Sequence, residues 1–553
     1  MLKQKHLWWQ TGVIYQIYPR SFKDTNANGV GDLRGIISKL DYLSEILGVD
    51  AIWLSPFYPS PMKDFGYDVS NYTDVDPLFG DLSTFELLLA EAHQRGIKII
   101  IDLVPNHTSD QHPWFQESRS SQDNPKRDWY IWANPKPISV SNKGEHQEMG
   151  PPNNWLSVFG GSAWEWDEHT GQYYLHSFLK EQPDLNWRNP EVKNAMFNVV
   201  RFWLDRGVDG FRVDVAHYIM KDPDKRDNPT SSGIAQSIHR PLGEYDTQYH
   251  IYDKGHPDNH QIYREFRMLL DEYSRNQPRM AIGEIHIYDW EEWVSYYGRD
   301  LDELHMPFNF HMLGAPWEAQ VIRKIVDKLE DTLPPGAWPN YVFGNHDESR
   351  LASRIGSKQS RVAAMLLLTL RGTPTIYYGE EIGMKDVYIP RELQKDPAGL
   401  RQPGQGRDPC RTPMQWDASP SAGFSAPKTD ELWLPLADDY HDVNVEAQMN
   451  DPISILSLCR ALLTIRKSYP ALQCGDYNPV DDVPLNCFAY LRREEDQFIF
   501  IALNFSTTAL HLSIPNYGSG ECILSTYLDR NGIANMDNLF LRGDEGLMIK
   551  LDE

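Results

Sequence analysis

Apolar runs alternate with helically spaced apolar residues along the N-terminal part of the chain. Residues 13–18, 51–56 and 97–104 are nearly continuous apolar runs, as expected of strands buried on both faces. Apolar side chains recur at helical spacing over residues 33–47, and a second helix is expected over 83–96, where the last glycine suits a C-terminal cap. The alternation predicts a parallel sheet covered by helices.

The alternation of predicted strands and helices stops after residue 104 and resumes near residue 190. Residues 105–177 are rich in Trp, Asn, Pro and Gly without a clear period, which indicates an insertion domain rather than a single long loop. A helix is expected over 190–206, followed by strands at 208–213, 280–284, 303–308, 341–344 and 373–378. With the first three strands these make eight, the number that closes a (β/α)8 barrel.

The predicted fold is therefore α/β: a (β/α)8 TIM barrel with an insertion domain after strand 3 and a C-terminal antiparallel β domain. We expect the first part of the barrel at 1–104, the insertion at 105–177, the second part of the barrel at 178–470 with a long irregular loop at 379–450, and the β domain at 471–553. The last assignment rests on short alternating strands and on an expected final helix at 452–467.

Charge and cysteine content exclude several kinds of partner and of metal or disulfide site. A formal charge of -25 with a pI near 5.1 argues against nucleic acid or an anionic membrane as a partner. Five widely spaced cysteines, with no C-x-x-C pair, indicate neither a disulfide framework nor a zinc site. The N-terminus has no apolar signal core, and no long apolar run occurs, so a cytoplasmic protein is expected. The oligomeric state is left open.

Polar residues recur at the carboxyl ends of the predicted barrel strands, where barrel enzymes place their catalytic groups. Asp102 ends strand three, Arg212 and Asp214 share one face of strand four, Glu284 ends strand five, and Asp347 follows strand seven. Asp102 reads as a framework residue, and Asp214 alone would read as the partner of Arg212 in an ion pair. Together the carboxylates predict one active site.

Four ordered motifs carry a family resemblance. The segments DLVPNH at 102–107, GFRVD at 210–214, IGE at 282–284 and FGNHD at 343–347 resemble the signature regions of the α-amylase family of glycoside hydrolases. QPDLN at 182–186 and RTPMQW at 411–416 are similar to hallmarks of its α-glucosidase and oligo-1,6-glucosidase branch.

The resemblance implies a retaining double displacement. Asp214 would be the nucleophile, Glu284 the acid and base, and Asp347 a residue that stabilises the transition state. Arg212 would keep Asp214 ionised by lowering its pKa, whereas Glu284 would have to be held protonated near neutral pH.

The family resemblance also implies which further residues contact the substrate. The resemblance implies that Tyr67 stacks on the sugar and that Asp68 accepts from hydroxyls of a terminal glucose, which favours an exo-acting pocket. The other expected contacts are His107, His346, the aromatic Phe159, the linkage-sensitive Val215, and either Arg411 or Arg407.

An oxygen-rich turn predicts a structural calcium ion. Oxygen ligands alternate around a glycine turn between residues 24 and 32, which is the spacing that wraps a hard cation. The expected ligands are Asp24, Asn26, Asn28, the Val30 carbonyl and Asp32. The family usually has Asp at the position of Asn28, so one negative charge is missing. No organic cofactor is expected.

Two sequence patterns point to different glycosidic bonds as the one that is cleaved. Val215 resembles the residue of relatives that cut α-1,6 bonds, whereas DVAH at 214–217 followed by KDP at 221–223 resembles bacterial α-glucosidases acting on short α-1,4 substrates. We favour α-1,4 substrates such as maltose. The alternatives are an oligo-1,6-glucosidase, a transferring enzyme of the trehalose synthase or sucrose isomerase type, and a non-catalytic relative that accompanies a transporter.

Overall fold

The computed structural model describes residues 6–137, 149–231, 242–427, 429, 431–515 and 517–551. Eight parallel strands form its central sheet, and each overlaps one of the eight predicted runs. They are β1 (Ile14–Ile17), β2 (Ala51–Leu54), β3 (Lys98–Leu103), β4 (Gly210–Val213), β5 (Met280–Gly283), β6 (Met306–Pro307), β7 (Asn340–Val342) and β8 (Thr373–Tyr377).

The sheet is a nearly closed barrel. Its strand order is β6-β5-β4-β3-β2-β1-β8-β7, so its two end strands are consecutive in sequence. The Asn340 side chain joins these ends, because it donates to the carbonyl oxygen of Pro307 and accepts from the Asn309 N–H at 3.1 Å. The predicted (β/α)8 barrel is confirmed.

Helices pack around the barrel through apolar faces. In the helix Pro190–Asp205, Asn189 caps the first turn, and Met196, Val200 and Trp203 are buried at helical spacing. The other longer helices are Leu82–Gln94, Pro113–Ser120, Asn259–Tyr273, Trp290–Ser295, Ala319–Thr332, Leu351–Thr369 and Ile455–Ser468. Within the described ranges, the helices are all too short or too polar to cross a membrane.

The helix predicted over residues 33–47 is divided in two. The structure has an α-helix at Leu33–Ile37 and a wider π-helical turn at Tyr42–Leu47. The predicted apolar face is nevertheless buried, since Leu33, Leu40 and Leu43 are all 0% exposed. The periodicity therefore identified the buried face, while hydrogen bonds from the N–H groups of both residues 48 and 49 to the carbonyl of Leu43 set the local helix type.

Two excursions from the barrel meet at its carboxyl end. The insertion after β3 carries a three-stranded sheet of Trp132–Ala133, Trp164–Asp167 and Gln172–Leu175, a pair formed by Lys136–Pro137 and Met149–Gly150, and a short helix at Arg127–Trp129. The segment between β4 and the helix Asn259–Tyr273 is also long, and its described residues pack on the insertion. Asn154 and Asn228 fasten the two together through hydrogen bonds of 2.8 and 2.9 Å.

A small antiparallel β domain follows the barrel. Its main sheet has six strands, at Asp476–Pro479, Cys487–Glu494, Gln497–Asn504, Ser519–Ser525, Gly532–Asn535 and Gly546–Leu551, and Leu510–Leu512 pairs with Leu539–Leu541. This confirms the predicted C-terminal domain. Between β8 and the helix Ile455–Ser468 the chain makes short helical turns at Glu380–Ile382, Arg391–Leu393, Pro397–Arg401, Asp408–Cys410, Pro420–Gly423 and Val445–Met449.

Candidate active site

Arg212 lies at the centre of a buried carboxylate cluster at the carboxyl end of the barrel. Its Nη1 atom donates to Asp102 Oδ1 at 2.8 Å and to Asp214 Oδ1 at 2.7 Å. Its Nη2 atom lies 2.6 Å from Glu284 Oε2. Because Arg212 is only 2% exposed, water screens its charge weakly. One fixed guanidinium thus ties together carboxylates from three neighbouring strands.

Strand register explains why these groups meet. Arg212 on β4 lies opposite Asp102 on β3 and opposite Ile282 on β5, two residues before Glu284. Asp102 is fully buried, and it also accepts hydrogen bonds from Trp53 Nε1 at 3.2 Å and from the Tyr67 hydroxyl at 3.1 Å. These contacts agree with the predicted framework role of Asp102.

The backbone after Asp214 turns sharply. Val215 has φ 36° and ψ 47°, a left-handed conformation that is unfavourable for a β-branched residue. In this conformation the Val215 N–H donates to Glu284 Oε2 at 3.0 Å. The strained turn therefore fixes the position of the Glu284 carboxyl group relative to Asp214.

The protonation of Asp214 and Glu284 differs from the expectation. Burial raises the pKa of Asp214 well above its usual range; Arg212 opposes this effect, and the Glu284 and Asp102 carboxylates reinforce it. Burial also acts to raise the pKa of Glu284, but Arg212 and His286 outweigh it and lower the pKa. His286 Nε2 lies 2.8 Å from Glu284 Oε1. The two pKa directions are thus the reverse of those expected for an ionised nucleophile and a protonated acid.

Asp347 is held by two arginines and one histidine beside the cavity. Its Oδ1 atom accepts from Arg411 Nη2 at 2.8 Å and from Arg407 Nη1 at 3.3 Å, and His346 Nε2 lies 3.2 Å from Oδ2. Burial alone would raise the pKa of Asp347, but His346, Arg407 and Arg411 together place it well below its usual range. This pKa direction favours the ionised form of Asp347 at neutral pH.

The carboxylates face a cavity of about 170 Å³. It is lined by Asp64, Tyr67, His107, Val158, Phe159, Phe178, Asp214, Val215, Tyr218, Leu242, Tyr245, Asp246, Lys254, Glu284, His286, Tyr288, Asp347, Glu348 and Arg407. Aromatic rings and carboxylates together suit a sugar, whose ring faces are apolar and whose edge carries hydroxyl groups.

The sequence prediction for Asp68 is wrong. Asp68 is 0% exposed and accepts hydrogen bonds from Ser60 Oγ and from the N–H groups of Lys63 and Asp64, so its carboxylate is used inside its own loop. Asp64, four residues earlier, lines the cavity instead. The motif contained both carboxylates, but only the path of the loop decides which of them faces inward.

The open choice between Arg407 and Arg411 is decided by position. Arg407 lines the cavity and donates to Asp64 Oδ1 and to Asp396 Oδ1, both at 2.6 Å. Arg411 lies behind Asp347, where it also donates to the carbonyl oxygen of His346 at 2.6 Å. Arg407 therefore closes the cavity wall, and Arg411 supports Asp347.

The remaining predicted contacts divide into two groups. Tyr67, His107, Phe159 and Val215 line the cavity. His346 lies behind it, with its ring stacked on Tyr67 at a centroid distance of 5.4 Å and its Nε2 atom 2.7 Å from the Tyr67 hydroxyl. Burial lowers the pKa of His107 to about 4 and that of His346 to about 3, so both rings are neutral at physiological pH.

Several cavity residues were not predicted. They are Asp64, Val158, Phe178, Tyr218, Leu242, Tyr245, Asp246, Lys254, His286, Tyr288 and Glu348. His286 had a sequence signal, because it lies two residues after Glu284 and strand periodicity directs both to one side. The residues from Tyr218 to Lys254 belong to the long segment after β4, which has no pattern that predicts its path.

The predicted calcium loop adopts a tight turn stabilised by its own side chains. Asp24 Oδ1 accepts from the N–H of Asn26, and Asn26 and Asn28 each accept from the N–H two residues later. Asp32 accepts from the Gly35 N–H at 2.7 Å and caps the following helix. The described residues contain no cluster of three or more His, Cys, Asp or Glu side chains arranged for a metal, but this loop has only two carboxylates and relies on amide and carbonyl oxygens.

Comparison with known proteins places the chain in a family. A model of the alpha amylase catalytic domain matches residues 16–475. A probable alpha-glucosidase of Rhizobium meliloti (strain 1021) is 42% identical over 533 residues, covering 93% of this chain and 92% of the relative. An oligo-1,6-glucosidase of Parageobacillus thermoglucosidasius is 38% identical over 588 residues, covering 99% of each chain.

A solved structure has the same architecture. The crystal structure of the alpha-glucosyl transfer enzyme XgtA is 41% identical and superposes with a TM-score of 0.90, covering 99% of this chain and 100% of that chain. The family match extends over most of the chain, and the two glucosidases named above are covered over 92% and 99% of their length. The protein therefore belongs to the alpha-amylase family of glycoside hydrolases and acts on small carbohydrate substrates.

Proposed function

We propose that this protein is an exo-acting, retaining α-glucosidase that releases glucose from the non-reducing end of short α-glucosides. The observation that carries the proposal is the placement of Asp214 and Glu284 around Arg212 in a small cavity. A paired nucleophile and acid in one site is the arrangement that double displacement requires.

In the first step Asp214 attacks the anomeric carbon. The carboxylate oxygen forms a bond to carbon while the glycosidic C–O bond breaks, and Glu284 gives its proton to the departing oxygen. Positive charge develops on the sugar ring, and the ionised form of Asp347 stabilises it. The product of this step is a glucosyl ester of Asp214.

The scheme requires a proton shift on substrate binding. In the ligand-free site burial favours the protonated form of Asp214, and the two carboxyl groups lie close enough to share a hydrogen bond. The shared proton must pass to Glu284 before attack, leaving Asp214 ionised beside Arg212. Because the two groups titrate as a pair, this transfer moves no proton into or out of the site.

In the second step water replaces the leaving group. Glu284, now a carboxylate, takes a proton from water as the water oxygen bonds to the anomeric carbon and the ester bond to Asp214 breaks. Two inversions at one carbon give α-glucose, and both carboxyl groups return to their starting state. A sugar hydroxyl in place of water would give a transfer product by the same route.

Exo action is supported by the wall formed by Asp64 and Arg407. The two side chains are joined at 2.6 Å, and Gln182 Nε2 donates to the other oxygen of Asp64 at 3.2 Å. A charge pair in the cavity wall suits the hydroxyl groups of a terminal glucose.

We favour α-1,4 linkages such as that of maltose. The alternative, an oligo-1,6-glucosidase, is supported by Val215 in the cavity and by the 38% identity to the Parageobacillus enzyme. A transferring enzyme is supported by the likeness to XgtA. One leaving-group contact changes discrimination by only about 1 to 3 kcal/mol, so activity on both linkages is expected at unequal rates.

The test is kcat/KM on maltose, isomaltose, sucrose and trehalose, together with NMR of the anomer of glucose released from an aryl α-glucoside, where all of the glucose comes from the cleaved unit. The proposal predicts α-glucose as the first product and the highest kcat/KM on maltose. A strong preference for isomaltose would contradict the α-1,4 assignment and favour the oligo-1,6-glucosidase. Release of β-glucose would contradict the retaining mechanism.

We also propose that the loop from Asp24 to Asp32 holds a calcium ion. The side chains of Asp24, Asn26, Asn28 and Asp32 and the Val30 carbonyl would supply hard oxygen ligands. The ion would stabilise the loop and the helix that follows it and would take no part in the reaction.

A further inference from the structure

The segment after β4 gives the cavity a polar wall that the proposed chemistry does not use. Leu242, Tyr245, Asp246 and Lys254 all line the cavity, although they lie far along the chain from the catalytic motifs. Two of them carry opposite charges, so the pair offers both a hydrogen-bond donor and an acceptor to a ligand.

Asp246 has an unused hydrogen-bond acceptor. Asp246 is 7% exposed, and its Oδ2 atom accepts a hydrogen bond from the Leu242 N–H at 2.6 Å. Its Oδ1 atom is buried and finds no hydrogen-bond partner among the described residues. Because an unsatisfied buried carboxylate oxygen costs free energy, such an atom in a cavity wall points to a ligand.

Lys254 offers the complementary donor. Its Nζ atom lies 5.4 Å from the centre of the Tyr245 ring and 5.7 Å from that of Tyr218. In the part of the chain that the structure describes, Lys254 forms no ion pair, although Asp253 and Asp246 act on it electrostatically. Its three N–H donors therefore remain available to the cavity.

The wall is held rigidly. The hydroxyl groups of Tyr218 and Tyr245 are 2.7 Å apart, and the Tyr245 ring stacks on His250 at a centroid distance of 3.5 Å. His250 Nδ1 lies 2.6 Å from Asp253 Oδ2, next to Lys254 in sequence. These contacts hold Tyr245 and Asp253, the chain neighbours of Asp246 and Lys254, before a ligand arrives, which reduces the entropy lost on binding.

We propose that Asp246 and Lys254 bind the hydroxyl groups of the leaving-group sugar and make the enzyme selective for glucosides whose aglycone is itself a sugar. A sugar hydroxyl donates to Asp246 and accepts from Lys254, whereas an anionic aglycone would be repelled by the cavity carboxylates. The inference rests on the proposed function and adds to it the residues that recognise the second ring.

The test compares maltose with an aryl α-glucoside in Asp246→Ala and Lys254→Met. Both substrates present the same terminal glucose, but a 4-nitrophenyl leaving group has no hydroxyl to bind. We expect kcat/KM on maltose to fall about tenfold to a hundredfold in each variant, as expected when a hydrogen bond to a charged group is lost, with less than about a threefold change on the aryl glucoside. Glu244→Ala, an exposed carboxylate in the same segment, serves as the matched control.

Equal losses on both substrates would overturn the inference, since they would show an effect on the shared glucosyl site or on folding. Unchanged activity on maltose would overturn it as well. Lys254→Arg should recover part of the maltose activity, because it keeps the positive donor. A wild-type protein that cleaves neither substrate would instead contradict the proposed function itself.

Discussion

At the scale of single residues, Arg212 decides how charge is shared in the site. One guanidinium contacts Asp102, Asp214 and Glu284, so it compensates only part of their combined negative charge. Burial makes the remaining charge unfavourable, and this raises the pKa of Asp214. In the proposed mechanism, a proton shared by Asp214 and Glu284 would be the one that the first step consumes.

His286 should control the alkaline limit of activity. Its hydrogen bond to Glu284 favours the ionised carboxyl and lowers the pKa of Glu284, so removing the bond should raise that pKa. In His286→Phe the alkaline limb of the pH profile of kcat/KM should move to higher pH by about one unit. His286→Gln keeps an N–H donor and should move it less. A limb that stays in place, or moves to lower pH, would contradict this role.

Asp64 and Asp68 show what the sequence could predict about the site. The motif located a carboxylate near the cavity, because a short run of residues was sufficient to identify the loop. It did not identify the side chain, since Asp68 turns back to accept from Ser60 and the Lys63 N–H, whereas Asp64 faces Arg407. The direction in which each carboxylate points depends on tertiary contacts, which a local sequence pattern does not encode.

The two residues should respond differently to substitution. Asp64→Ala should lower kcat/KM on maltose by about a hundredfold, because a charged contact to the terminal glucose is lost. Asp68→Ala should instead lower stability by about 1 to 3 kcal/mol, since it leaves buried N–H groups without an acceptor. Steady-state kinetics well below Tm, together with thermal unfolding, separate the two effects. A larger kinetic loss in Asp68→Ala than in Asp64→Ala would contradict the assignment.

At the scale of elements, the strands were more predictable than the segments between them. All eight barrel strands follow apolar runs, because a parallel strand buried on both faces needs an apolar side chain at nearly every position. The path of the segment between β4 and the helix Asn259–Tyr273 was not predicted. Its described residues form a cavity wall by packing on the insertion through pairs such as Asn154 and Asn228, which lie far apart in sequence.

Calcium binding to the loop from Asp24 to Asp32 should raise Tm. If the loop binds calcium, a chelator should lower Tm by a few degrees, because a ligand that binds only the folded state stabilises it. Asn28→Asp adds a carboxylate and should increase the calcium-dependent rise in Tm, whereas Asp24→Ala should abolish it. At temperatures well below Tm, kcat/KM should not respond to the chelator. A Tm that is the same with and without calcium would contradict the proposal.

At the scale of the whole molecule, the barrel and the C-terminal domain share one core. Phe488, Tyr490 and Ile499 of the β domain are fully buried in the same apolar cluster as the barrel helices. Gln359 in the helix Leu351–Thr369 adds a hydrogen bond of 2.7 Å to Asp544. The β domain thereby supports the scaffold from which the catalytic strands project, while the insertion and the segment after β4 complete the cavity.

The most direct test of the account is to trap the covalent intermediate. Glu284→Gln removes the acid and base. It should slow the hydrolysis of the glucosyl ester more than the formation of this ester from α-glucosyl fluoride, because the fluoride ion departs without being protonated. Mass spectrometry of the digested protein should then find one glucosyl group on the peptide that contains Asp214, and Asp214→Asn should remove it. A glucosyl group on another carboxylate, or no adduct together with release of β-glucose, would contradict the assignment of Asp214 as the nucleophile of a retaining enzyme.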